Sequence, residues 1–187
     1  MEIKKIIKDF GIIGVVSKYQ DTLDNDLLVK DLKLKNDNKS LIMVGLDDKI
    51  LDKKIKELSF SEKFKLDLAT KLDKDIIIIG NLSKSLIYKE QDYIKKLLIK
   101  LSNNYNKKIV VIDEDISVFF NLTKKIYVMK NKEVIYDTDN YFDDNLYKYC
   151  KMPKIVEFIK YVNKSNKRVD ENIEIYELLK DIYRRVS

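Results

Sequence analysis

Few side chains in this 187-residue chain are of a type and in a position to do chemistry. It has no histidine and one cysteine, Cys150. A Ser-His-Asp or Cys-His arrangement is therefore impossible, and zinc or other transition metals lack their usual nitrogen and sulfur donors. Carboxylates remain. "DED" (113–115) ends an apolar run and could face a divalent ion, whereas "DDKILDKK" (47–54) and "DDNLY" (143–147) read as helix caps and solvated charge. Ser59 and Glu62, in "LSFSEK", stand three apart before an apolar helix. That spacing is a capping box, in which each side chain satisfies a backbone donor of the other. The N-terminus of the helix they open is also an anion site in principle. A buried strand, "DKDIIIIGN" (73–81), ends instead on Gly80 and Asn81, where an open α/β sheet usually places its ligands and catalytic groups.

The elements that must position these residues follow from periodicity. The segment 2–10 reads as a short amphipathic helix and "GIIGVVS" (11–17) as an apolar strand. Loops and short helices fill 20–40, a short helix stops near Gly45, and a charged helix leads to Leu58. Phe60, Phe64, Leu68 and Leu72 share one face of the next helix. The four-isoleucine strand follows, read as buried on both faces of a parallel sheet. A long helix over 88–105 turns Ile94, Leu97, Leu98, Leu101 and Tyr105 inward. "KKIVVID" (107–113) is a second buried strand, "EDISVFFNL" a short helix, and "KIYVMKNKEVIYD" (125–137) a hairpin with Asn131 at its turn. Beyond Asp137 only helices are expected. One, opened by Pro153, buries Ile155, Phe158, Ile159 and Val162; the last buries Ile175, Tyr176, Leu179, Ile182 and Tyr183.

Composition narrows the class. Apolar residues make up 45% of the chain and charged residues 36%, which describes a soluble globular protein, and no uncharged run approaches a membrane span. The net charge of +6 comes from lysines interleaved with acids rather than gathered into a stripe, so nucleic acid is not an expected partner. A lone cysteine and no signal-peptide core suit the cytoplasm.

The order of these elements resembles the ATP-binding cassette ATPases, in particular the energy-coupling factor type of bacterial vitamin and metal transporters. "LSFSEK" stands at the signature, "IIIIGN" at the Walker B strand, "VVIDED" at the strand ending in the switch histidine, and "IYVMKNKEVIYD" at the closing hairpin. "MPKIVEFIKYVN" and the residues after it are similar to the helical C-terminal domain of energy-coupling subunits. The resemblance implies an α/β fold: an incomplete P-loop NTPase-like parallel sheet flanked by helices over residues 1–140, with a helical C-terminal extension over 141–187.

It also implies what has been lost. G-x-x-x-x-G-K-[ST] does not occur, and Gly11, Gly14, Gly45 and Gly80 cannot supply a phosphate loop. The match starts just before the Q-loop, with Lys18 at the glutamine position and Gln20 nearby, so the chain reads as an N-terminally truncated cassette. The Walker B acids fall on Gly80 and Asn81, the switch histidine on Glu114 and the D-loop aspartate on Ile87. Only Ser59 of the signature persists, with Glu62 beside it, as the candidate nucleotide contact. There are no catalytic residues and no metal ligands to nominate. ATP would come only from a partner subunit. The implied role is a degenerate, non-catalytic subunit that pairs as a homo- or heterodimer with an intact cassette ATPase, or docks on a transporter membrane subunit at the inner face of the membrane without inserting. The alternatives are a free-standing regulatory or scaffold protein reusing the fold, and a residual ATP-binding transport subunit. The missing phosphate-loop strand belongs in the middle of the family sheet. The strands at 75–79 and 108–113 are expected to close up against each other, the alternatives being that another chain or the N-terminal strand fills the gap.

Overall fold

The computed structural model describes residues 11–20, 23–32, 34, 37–164, 169, 178, 180, 183 and 184. The expected helix at 2–10 and most of the last helix lie outside the described residues. A five-stranded sheet organises the chain in the order β2 (Ile76–Gly80), β3 (Lys108–Asp113), β1 (Ile12–Val16), β4 (Lys125–Lys130), β5 (Glu133–Thr138). All pairings are parallel except β4 with β5. That last pair is a hairpin, because Asn131 (φ 53°) and Lys132 (φ 65°) both take the left-handed turn that suits the twist of its strands.

The strands form where β-branched residues run without interruption, and their alternation divides the core. Ile77, Ile79, Ile109, Val111, Ile126 and Val128 face one layer; Ile13, Val15, Val110, Ile112 and Tyr127 face the other. Helices α2 (Phe60–Ala69) and α4 (Tyr88–Tyr105) bury Phe64, Leu66, Leu68, Ile94, Leu98 and Leu101 in the first layer. The amphipathic period of α4 holds, and Asn106 (φ 51°) ends it in the left-handed region. Tyr105, expected inward, is exposed, since it lies in the last turn beyond the sheet.

Two expectations in the first half are corrected. The lead-in to α2 is not a charged helix. After α1 (Asp37–Met43) and Gly45 (φ 75°) come only two 3-10 turns, Asp48–Ile50 and Ile55–Glu57, tied to Val29 and Leu27 by backbone bonds. Phe60 is 78% exposed rather than packed inward, because the capped first turn of α2 projects beyond the core.

The closing-up of the sheet is observed, and more. β2 and β3 pair directly, and β1 sits between β3 and β4 as the third of five strands. The N-terminal strand thus fills the middle of the sheet, the alternative named for the position of the missing phosphate-loop strand, alongside the expected pairing of β2 with β3. Toward the C-terminus, Leu146 belongs to the main core, while α5 (Lys154–Lys164) builds a separate cluster of Ile159 with Val169 and Leu178. Phe158 and Tyr183, expected inward, are exposed.

Candidate functional site

The carboxyl ends of β1, β2 and β3 converge, and the residues there decide what the sheet can hold. After Val16, Ser17 N donates to Asp113 O at 3.2 Å, and the chain then turns so that Tyr19 lies against Gly80. A Cβ on Gly80 would stand 2.3 Å from Tyr19 Cγ, 2.5 Å from Tyr19 Cβ and 2.7 Å from Ile112 O. Glycine is thus demanded by sterics, and the space a longer side chain would fill belongs to tyrosine.

The far end of the ring is fixed as well. Tyr19 Oη donates to Asp67 Oδ2 at 3.3 Å and accepts from Lys71 Nζ at 2.9 Å, while Lys71 and Asp67 form an ion pair of 2.6 Å. Burial pushes the Tyr19 hydroxyl above its usual range, and Asp67 adds to the shift against the opposing Lys71. Burial disfavours the Lys71 cation, but its hydrogen bond to Asp67 outweighs that and holds it above its usual value. Asp67 and Lys71 are one turn apart on and just past α2, so the trio links β1 to α2 across the end of β2.

Asn81 follows at φ 61°, and its Nδ2 donates to Tyr19 O at 3.3 Å. The "DED" carboxylates do not gather around an ion. Asp113, 1% exposed, accepts from Ser83 Oγ at 2.5 Å and Ser83 N at 2.9 Å, and from Asp115 N at 3.0 Å. It thereby caps the short helix α3 (Leu82–Ser85) that follows Asn81. Glu114 pairs with Lys84 at 2.5 Å, which lowers the Glu114 carboxyl below its usual range. Asp115 accepts from Ser117 N at 2.9 Å. Among the described residues, no three acidic, histidine or cysteine side chains meet to hold a metal.

Ser59 and Glu62 form the capping box. Glu62 N donates to Ser59 Oγ at 3.2 Å, while Glu62 Oε2 accepts from Ser59 N and Ser59 Oγ, both at 2.8 Å. The bonds from Ser59 hold the Glu62 carboxyl below its usual range. Both hydroxyl and carboxylate are spent on the helix itself. Beside them Glu90 Oε1 accepts from Ser61 Oγ at 2.7 Å and from Lys65 Nζ at 2.6 Å, locking the start of α2 to α4. A cleft of about 210 Å³ lies between these two constructions, lined by Tyr19, Phe60, Phe64, Asp67, Gly80 and Asn81. Lys18, Gln20 and Ile87 are exposed and do not line it. Sequence reasoning brought Gly80, Asn81 and Ser59 to this region but missed Tyr19. Only the Asp67–Lys71 spacing hinted at the anchor it uses.

No protein-family model and no curated protein matches the sequence. Solved structures do match the fold. Two dimeric structures of the ATP-binding cassette MJ0796, one of them in a post-hydrolysis state bound to ADP and Pi, align with a TM-score of 0.53 at 22% identity, over 73% of this chain and 67% of that one. Structural similarity also reaches cbiO1 from Clostridium perfringens, part of the transporter complex cbiONQ, with a TM-score of 0.49 at 23% identity, over 88% of this chain and 68% of that one. The chain spans about two thirds of the length of these cassettes. With its five-stranded, mainly parallel sheet and flanking helices, it has the fold of an ATP-binding cassette.

Proposed function

We propose that this chain is a cassette-fold subunit without ATPase activity of its own, a degenerate member of the energy-coupling factor type that serves an intact cassette ATPase or a transporter membrane subunit from the cytoplasmic side. The observation that carries the reading is Tyr19 on Gly80. The loop after the central strand contributes an aromatic ring where nucleotide binding would need backbone donors and a lysine. Magnesium-triphosphate does not fit these residues. Gly80 offers no side-chain oxygen, the Asn81 amide is neutral and turned to Tyr19 O, and Asp113 is committed to Ser83 and Asp115. An amide cannot serve as general base, a loss on the order of 10²–10⁴ in rate by itself. Any ATP in the assembly belongs to the partner's site.

The capping box supports a second reading, a free-standing scaffold reusing the fold. With Ser59 and Glu62 bonded to each other, the signature residue is not held in reserve for a neighbour's phosphate. Co-expression with an intact cassette separates the two. The first reading expects a stable complex whose ATP turnover depends on the intact partner, and no nucleotide binding by the isolated chain. Micromolar ATP binding by the isolated chain overturns both; failure to associate with any cassette or membrane subunit leaves the scaffold.

A further inference from the structure

The second layer of the core is buried, yet little among the described residues covers it. Ile13, Val15, Val110, Ile112 and Tyr127 stand on one face of three adjacent strands, β3, β1 and β4, and each is at most 9% exposed. A sheet face becomes so inaccessible only beneath another layer. Helices α2, α3 and α4 bury their apolar side chains in the first layer, and Ile159 of α5 belongs to a separate cluster. Tyr19, over Gly80 at the end of β2, is the only described apolar residue outside the strands that packs against this face. Because the side chains are buried within a single copy of the chain, their cover is part of the chain itself.

The footprint gives the size of that cover. Burial is nearly complete at the centre of β3, β1 and β4, and falls to half at Ile78 on β2 and Val134 on β5. Three strands span about 10 Å, the width of one α-helix. Two long stretches lie wholly or largely outside the described residues, 1–10 and 165–187. Val169 and Leu178 tie the second to Ile159 of α5, in the separate cluster. The first leads directly into β1, the strand at the middle of the footprint. In "MEIKKIIKDF", Ile3, Ile6, Ile7 and Phe10 recur at the spacing of one helical face, and Lys5 and Lys8 fall on the opposite face. Eight residues of helix are about 12 Å long, which fits along the roughly 17 Å of a five-residue strand.

We propose that residues 3–10 fold back from the start of β1 as a helix, and that Ile3, Ile6, Ile7 and Phe10 cover the second face of the sheet. The occupant is selected by three features together: its place next to the central strand, its length and its single apolar stripe. Its lysines remain in water, which an isolated helix of this length could not justify on propensity alone, so the packing is what holds it. The chain thereby closes this face by itself. A partner cassette or membrane subunit has to dock on another surface.

The test is methyl nuclear magnetic resonance on the full chain, with a mixture of labelled and unlabelled copies to separate contacts within a chain from contacts between chains. Nuclear Overhauser contacts are expected within one chain, from the methyls of Ile3, Ile6 or Ile7 to those of Val15, Val110 or Ile112. Urea unfolding supplies the second readout. Ile6→Ala and Ile7→Ala should each lower the folding equilibrium constant at least tenfold, whereas Lys5→Ala and Lys8→Ala should change it by no more than about twofold. If the isoleucine variants fail to fold, the contacts in the wild-type chain decide. Contacts to this face from residues 165–187 alone, or only between chains, overturn the proposal. So does the absence of contacts from Ile3, Ile6 and Ile7, or isoleucine variants no less stable than the lysine ones.

Discussion

Replacing Gly80 by alanine tests the placement of Tyr19 directly. The added Cβ would stand 2.3 Å from Tyr19 Cγ and 2.7 Å from Ile112 O, and the carbonyl belongs to the rigid centre of the sheet. Something must shift, and overpacking of this kind costs about 1–3 kcal/mol. The tyrosine cannot swing away freely, because Asp67 and Lys71 hold its hydroxyl. Taking about 2 kcal/mol for the variant, Tm should fall by roughly 4–8 °C in a chain of this size. A double-mutant cycle with Tyr19→Gly isolates the cause, since glycine removes both Cβ and ring. In that background Gly80→Ala should lose most of its cost and keep only the Ile112 O contact, for a coupling of about 1 kcal/mol or more. Urea unfolding of the wild type, both single variants and the double variant gives the four free energies, provided their m-values agree. Equal cost in both backgrounds, with coupling under about 0.5 kcal/mol, would refute the claim that Tyr19 occupies this space.

The other outcomes follow from single contacts. Asp67→Ala strands the half-buried Lys71 cation and should cost about 3 kcal/mol, measured by urea unfolding. Ser59→Ala removes the cap of α2 and should cost about 1 kcal/mol while leaving association with a partner cassette unchanged. Because the folded Glu62 carboxyl lies below its unfolded value, its contribution is present above the unfolded pKa of about 4.3 and is lost as pH falls through the folded one. Glu62→Gln should therefore flatten the acid limb of a stability-versus-pH curve. The Cys150 thiol is pushed up to about 11 by burial, so native protein at pH 8 should react with a thiol reagent roughly a hundredfold more slowly than urea-unfolded protein.

What was legible in the sequence was the pattern that needs no partner. The four isoleucines, the period of α4, the hairpin with Asn131 at its turn and the S-x-x-E cap each carry their cause within a few residues. Tertiary placement was not legible in the same way. Nothing in "GIIGVVSKYQD" says that the strand lies between β3 and β4, because an all-apolar strand reads alike wherever both its faces are buried. Nothing marks Tyr19 as the residue over Gly80 either, since the contact spans 61 positions and depends on how β1 ends. The charged stretch 47–57 misled because its apolar spacing suits a helix, while backbone bonds to Leu27 and Val29 draw it into 3-10 turns. Phe60 misled for a simpler reason: helical phase predicts a face, not whether the core extends far enough to cover it.

On the proposed reading, in which a polar site has been lost, Tyr19 and Gly80 also bear on why an apolar frame can outlast it. A carboxylate at position 80 has to be desolvated where the three strand ends meet, and that is tolerable only when a metal or a donor compensates it. Without such a ligand, glycine removes the charge but leaves a gap beside Ile112 and weakens the strand. An aromatic ring laid over the glycine closes the gap, and the Asp67–Lys71 pair fixes the ring without any group from outside the chain. Each change makes the reverse change costly. A carboxylate restored at position 80 would now meet the tyrosine, and removing the tyrosine would open the core. Reinstating acids at Gly80 and Asn81 together should therefore destabilise the fold without restoring ATP binding, and nucleotide titration of that double variant, with and without Tyr19→Gly, measures both halves of the claim. Recovery of micromolar ATP binding by the acids alone would show that the ring yields, and that the site had lost its charges but kept its space.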